Sequence, residues 1–236
     1  MRFVLTTLAA ASLAACGPAQ SCMAAPPQAG FAPAQYEGTW YEIGKVQTFG
    51  GAIFESSCVC TQLIVSATPG GAAGDAAVLN SCRDKSPAGA FINATGQLIN
   101  MAPPGHWDET FLPPAFKVFV NCAWRRRRAM MRGARSFSRV DAVLARSDFL
   151  LHAHTTRAAL CADTVILAGK EGDEEYSVEY DCSGEGPLLN NYCIHILARK
   201  PTMSAGLVAK LLNTSLGMGL NTQNLPFNFT HQEGCW

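Results

Sequence analysis

The chain has 236 residues, 18 basic against 18 acidic side chains and no formal net charge, a balance that excludes a generally basic, nucleic-acid-gripping surface. Ten cysteines favour export to an oxidising compartment over the cytosol. Beyond the first residues no segment is long and apolar enough to be a transmembrane helix.

The first element is a targeting segment. Met1-Arg2 is a short positive start, Phe3 to Ala15 is uncharged and apolar, and Ala19-Gln20-Ser21 places small residues before Cys22. This predicts a secretory signal peptide over 1–21 and a mature domain over 22–236. Leu13-Ala14-Ala15-Cys16 also reads as a bacterial lipoprotein box, which would lipidate Cys16 and tether the chain to a membrane. Three N-x-Ser/Thr sequons, at Asn93, Asn213 and Asn228, carry meaning only in a eukaryotic secretory pathway and make the mature chain a candidate glycoprotein. The two signals point to different kinds of cell, and the eukaryotic reading is preferred.

From Tyr36 onward the texture is all-β: short aromatic and β-branched runs punctuated by Gly, Pro and Asn. The runs predict strands near 39–47, 58–66, 76–83, 90–99 and 115–120, then 164–168, 175–182 and 192–198. Eight strands of this length are the minimum that closes a barrel around one small ligand. Between the fifth and sixth lies a segment of different character, 121–163, with nine arginines against three aspartates and the run Arg125-Arg126-Arg127-Arg128. It is read as an atypical basic insertion, or as a stretch foreign to the native protein. No aromatic interleaving accompanies its arginines, so it predicts no nucleic-acid partner. Without the leader and this segment the chain is still a comfortable single domain. After Pro201 the period changes. Leu207, Val208, Leu211, Leu212 and Leu216 fall at helical spacing behind Thr202 or Ser204 as N-cap, predicting an amphipathic helix over 203–216 that packs outside the barrel. The last twenty residues read as an irregular tail.

Gly38-Thr39-Trp40-Tyr41-Glu42-Ile43 resembles the opening of a lipocalin, in particular the apolipoprotein D and bacterial lipocalin branch, and Lys45 to Phe49 with Phe54-Glu55 continue the likeness. Three later stretches match in order. Asp173-Glu174-Glu175-Tyr176 stands where the family has its turn between strands six and seven, with looser spacing. Ile196 to Pro201 resembles the end of strand eight, and Gln232-Glu233-Gly234-Cys235 the closing Q-x-x-C. The resemblance implies an eight-stranded, up-and-down antiparallel barrel with one C-terminal helix outside. It also implies structural roles for Gly38, Trp40, Asp173, Tyr176 and Arg199, with Arg199 lying across the Trp40 indole at the closed end. Two bridges are implied as well, Cys22–Cys182 and Cys60–Cys235. Cys58 and Cys60, two apart in a strand, are expected to face one side, which makes Cys82 on the next strand the natural partner of Cys58. Cys122 and Cys161 bracket the insertion, and Cys193 is left over. A zinc reading of Cys58-x-Cys60 with Cys82 or His195 is set aside in favour of disulfides.

No catalytic constellation stands out: G-x-S-x-G, H-E-x-x-H and a phosphate loop are all absent. His152-x-His154 sits in the insertion and reads as solvated. Some lipocalin relatives are enzymes acting on hydrophobic small molecules, isomerases that use a pocket cysteine or de-epoxidases, and here Cys58 and Cys193 are the candidate thiols, with no base predicted beside either. The expectation is therefore a non-enzymatic carrier without cofactor or metal. It would bind a small hydrophobic ligand of the lipid, sterol, retinoid or pigment class, with Tyr41, Phe49, Phe54, Phe116, Phe119 and Tyr176 as candidate lining residues.

Overall fold

A computed structural model describes residues 23–48, 55, 57–112, 161–183 and 191–236. The strands are β1 (Gly38–Gln47), β2 (Cys58–Ala67), β3 (Ala76–Asp84), β4 (Phe91–Met101), β5 (His106–Leu112), β6 (Cys161–Glu171), β7 (Glu174–Ser183) and β8 (Asn191–Ala198). Helix α1 (Ala205–Gly217) and a short β9 (Asn228–Phe229) follow. Each strand pairs antiparallel with the next, and β1 pairs with both β2 and β8, which closes the sheet into a barrel.

Strand alternation sorts the side chains. In β4, Ala94, Gly96 and Leu98 are buried while Asn93, Thr95 and Gln97 are exposed, the period of a strand with one wet face. In β8 nearly every residue is buried because both faces are covered. Its Tyr192, Ile194, Ile196 and Ala198 pack outward with Leu207, Val208 and Leu211 of α1, while Leu197 joins a separate cluster inside the barrel. Helix α1 follows the predicted apolar stripe and starts two residues later than 203. The Ser204 N–H and hydroxyl both donate to the Glu174 carboxylate (2.6 Å each), which pins the helix start to the β6–β7 hairpin.

Three expectations need correction. The fifth strand is His106–Leu112; the predicted stretch at 115–120 lies outside the described residues. An inward-facing charged residue, Glu109, breaks the apolar–polar alternation there and hid the strand. Second, β6 begins at Cys161, so residues 161–163 of the supposed insertion belong to the barrel, with Asp163 buried inside it. Third, the tail is not wholly irregular. β1 pairs with β2 only over residues 38–41, and further along the tail bridges the two strands. β9 pairs with Gly44 and Lys45, the Thr230 N–H donates to the Ile43 carbonyl (3.0 Å) and the Cys60 N–H to the His231 carbonyl (2.8 Å). Gln232 Nε2 donates to the carbonyls of Glu42 and Thr61 (2.8 Å each). Gly44 permits this approach: a Cβ there would lie 2.6 Å from the Asn228 carbonyl oxygen.

Candidate functional site: the barrel interior

The closed end is built from aromatic rings. Trp40 and Trp107 are buried under Tyr36 and Phe31. Tyr36 stacks on Trp107 at 5.4 Å between centroids, and Phe31 meets Trp107 edge-on at 5.7 Å. Both indoles have their polar atom satisfied, Trp40 Nε1 by the Tyr36 carbonyl (2.7 Å) and Trp107 Nε1 by the Gly74 carbonyl (3.0 Å). The Arg199 guanidinium lies 3.6 Å above the Trp40 ring, as the resemblance implied. Its nitrogens donate to the carbonyls of Thr39 (3.1 Å) and Gln35 (2.8 Å) and to Glu175 (3.1 Å), so one side chain ties three segments across the end of the barrel. Gly38 takes φ +103°, a conformation that strains any other residue type, as the chain turns into β1 under that arginine. Leu63, Val65, Val78, Leu98, Val165 and Leu197 complete an apolar floor.

Above the floor the interior becomes polar and ionisable. Residues 42 and 45, three apart in a regular strand, would face opposite sides. A bulge between Glu42 and Gly44 changes that, so Glu42 sits opposite Leu197 and Lys45 opposite His195, both facing inward. His195 Nδ1 lies 2.7 Å and the Lys45 ammonium 3.4 Å from the Glu42 carboxylate, and the Thr230 hydroxyl donates to its other oxygen. Lys45 also pairs with Glu55 at 2.7 Å, and His195 Nε2 is 3.4 Å from Asp181. Burial opposes ionisation of Glu42, but Lys45 and His195 outweigh it and hold the carboxyl near pKa 2. Burial likewise opposes a charged His195, yet Cys193, Asp181 and Glu42 keep its pKa well above the usual histidine value. These partners favour its protonated form.

Opposite this network the balance reverses. Glu179 faces His195 across the β7–β8 pair, and Asp163 faces Asp181 across the β6–β7 pair. Burial raises the Glu179 pKa to about 8, with Asp181 adding to the effect, and lifts those of Asp163 and Glu109 well above the carboxylate range. Asp163 Oδ1, Glu179 Oε1, Ser177 Oγ and Thr61 Oγ1 are buried and have no hydrogen-bond partner among the described residues. Glu179→Gln should therefore stabilise the protein. A carboxyl whose folded pKa exceeds its unfolded 4.5 binds more protons when folded, so its contribution falls as pH rises from 4.5 towards 8. Removing the ionisation should add on the order of 3 kcal/mol at neutral pH and nothing near pH 4. Urea titrations of both proteins at the two pH values check this.

Cys193 is a buried free thiol beside His195, and burial pushes its pKa up to about 11, which keeps it protonated. Cys58 is bonded to Cys82 and Cys60 to Cys235, so neither offers a thiol nor a zinc ligand. The pairings match expectation, but the reasoning that Cys58 and Cys60 share a face fails. A bulge between Val59 and Gln62, with Cys60 at φ +57°, breaks the alternation and sends the two sulfurs to different elements. Cys182 is oxidised; its implied partner Cys22 lies outside the described residues. Among the described residues one set of donor atoms is tight enough for a metal, those of Glu42, Glu55 and His195, within 4.8 Å of one another. The Lys45 ammonium already sits against both carboxylates, which makes it the cation of that cluster.

Of the predicted lining residues, Tyr41 and Tyr176 are described. Tyr41 lies between inward Trp40 and Glu42, so it faces outward, where its ring meets Trp236 at 5.3 Å. Tyr176 packs with the outer cluster and borders a cleft of about 310 Å³ at the closed end, which also touches Gln28, Phe31 and Trp40. Phe49, Phe54, Phe116 and Phe119 lie outside the described residues, as do Cys16, Cys122, His152 and His154. Asp173 sits in the exposed β6–β7 turn and pairs with Lys200. Asn93, Asn213 and Asn228 are all exposed.

No family model and no curated protein matches the chain. Among solved structures it is similar to lobster apocrustacyanin A1, with a TM-score of 0.50 and 12% identity over 91% of this chain and 90% of that one. That protein is a lipocalin. Together with the closed antiparallel barrel, the helix packed on its outside and the plugged end, the similarity establishes that this chain has the lipocalin fold.

Proposed function

We propose that this protein is a carrier, exported to an extracellular or lumenal space, that holds a small and mainly apolar molecule inside its barrel. One observation carries the reading. The barrel is sealed at one end by an apolar floor, and above that floor stand inward polar groups, some with no partner among the described residues, which is the mixture that fixes one end of a bound small molecule. The bridges Cys58–Cys82 and Cys60–Cys235 support an oxidising destination, and the three exposed sequons suit a glycoprotein. The Cys60–Cys235 pairing and the Trp40–Arg199 contact favour the apolipoprotein D and bacterial lipocalin branch.

The alternative of a thiol-dependent enzyme rests on Cys193, the free thiol inside the barrel, but a thiol held protonated is a poor nucleophile. The membrane-tethered alternative rests on Cys16 in the leader. Native mass spectrometry of protein purified from its source tests the carrier reading: a co-purifying small molecule that leaves on delipidation and rebinds is the expected result. Protein that carries nothing, and binds no aliphatic alcohol afterwards, overturns it. The same spectrum gives the mature N-terminus and so settles the tether.

A further inference from the structure

We propose that the interior recognises a cationic ligand, an apolar molecule carrying a protonated amine, and seats that amine against the carboxyl groups of Asp163 and Glu179. The inference rests on the carrier reading and narrows its ligand class. Among the described residues six acidic side chains take part in the interior electrostatics, Glu42, Glu55, Glu109, Asp163, Glu179 and Asp181, against two basic ones, Lys45 and His195. Lys45 is engaged by Glu55 and Glu42, and His195 by Glu42 and Asp181. Asp163 and Glu179 form no ion pair with a basic side chain among the described residues.

Both are also the residues with orphaned oxygens. Asp163 Oδ1 and Glu179 Oε1 have no partner among the described residues, although each residue is only 4% exposed; the Asp163 side chain's one hydrogen bond is with Asp181. The strand register gathers them: Glu179 lies opposite Val165, two residues along β6 from Asp163, and Ser177, whose hydroxyl is likewise unpartnered, is the next inward residue on β7. Buried polar atoms without partners are rare and costly, and three of them on neighbouring inward positions of β6 and β7, unpartnered among the described residues, point to a donor from outside these strands. An ammonium supplies three donors and the missing charge. An anionic ligand, such as a fatty acid, would add a further negative charge to this group and is disfavoured. A divalent metal fits less well, because the only donor cluster of metal dimensions among the described residues holds Lys45 instead. Alongside, Trp107 stands opposite Asp163 and Val165 opposite Glu179 in register, and both belong with Leu197 to the apolar cluster, so the amine site borders apolar surface for the rest of the molecule.

The charged groups facing the site are Asp181 beside Glu179 on β7, His195 on β8, Glu109 on β5, and Glu42 with Lys45 on β1. In the ligand-free protein burial favours the protonated form of both carboxyls, so an arriving ammonium displaces protons. Calorimetry with decylamine, 1-decanol and decanoate, which share one alkyl body, tests the inference. Decylamine should bind at least about tenfold more tightly than decanol, with decanoate weakest. Decylamine binding to the unaltered protein should also release protons, read as a heat that varies with the ionisation enthalpy of the buffer, whereas decanol binding should not. In Asp163→Asn/Glu179→Gln the amine preference over decanol should collapse. Equal binding of amine and alcohol, a preference for decanoate, or amine binding without proton release overturns the inference and leaves the carrier standing. Tight binding of Ca²⁺ alone that excludes decylamine overturns it in favour of a metal site. Failure of all three alkyl probes overturns the carrier reading with it.

Discussion

Glu42→Ala should destabilise the folded protein by about 3–5 kcal/mol at neutral pH, the range for removing one partner from a buried ion pair. The carboxylate is 1% exposed and sits between the Lys45 ammonium and the His195 ring, and it takes a further bond from Thr230. Truncation leaves both basic groups inside the barrel with less negative charge, and it also loosens the tail strand that Thr230 anchors. The pH dependence carries a definite sign. The folded pKa of Glu42 is about 2 and the unfolded value 4.5, so the folded state binds fewer protons in that interval. The stabilisation from this group is complete above pH 4.5 and is lost as pH falls towards 2. Urea midpoints of the two proteins should therefore differ widely at neutral pH and converge in acid. A constant gap down to acid pH would show that Glu42 acts by packing and not by charge.

The bridge between Cys60 and Cys235 should be the more stabilising of the two described disulfides. It closes a span of 175 residues, against 24 for Cys58–Cys82. Loop-closure entropy puts its contribution at roughly 5 kcal/mol, about 2 kcal/mol above that of the shorter one. The bridge also holds the tail where β1 and β2 part, so its loss should free the segment that Gln232 and β9 secure. Cys60→Ser/Cys235→Ser is expected to lower the urea midpoint further than Cys58→Ser/Cys82→Ser, and to expose the amides of residues 228–232 to hydrogen exchange. Protection at those amides equal to that of the unaltered protein would show that strand pairing alone holds the tail.

The sequence made the barrel readable through residues whose meaning is local. Strand alternation, the Trp40 opening, the helical stripe of Leu207, Val208 and Leu211, and the closing Cys235 each identify an element without reference to the rest. What could not be read depends on departures from regularity. The bulge after Glu42 turns Glu42 and Lys45 to one face, and the bulge at Cys60 separates two cysteines that a regular strand would align. Nothing local marks the bulge at Cys60, whereas the lone Gly44 within its strand is the one local sign of the other. The polar interior was missed for a related reason. Aromatic side chains suggest a lining, yet Tyr41 faces outward, while nothing local marks Glu109, Asp163 and Glu179 as inward. An inward acid and an outward acid look alike until strand register is known. Asp163 even stood inside the segment set aside as foreign.

The central claim is that the inside of the barrel, and neither the seam under the helix nor the cleft at the closed end, is where a ligand sits. Methyl NMR of the protein titrated with 1-decanol tests this most directly. The account predicts shifts at the floor methyls of Leu63, Val78, Val165 and Leu197, with those of Ile194, Ile196, Leu207 and Leu211 beneath α1 unmoved. Shifts confined to the helix seam, with the floor silent, would contradict it.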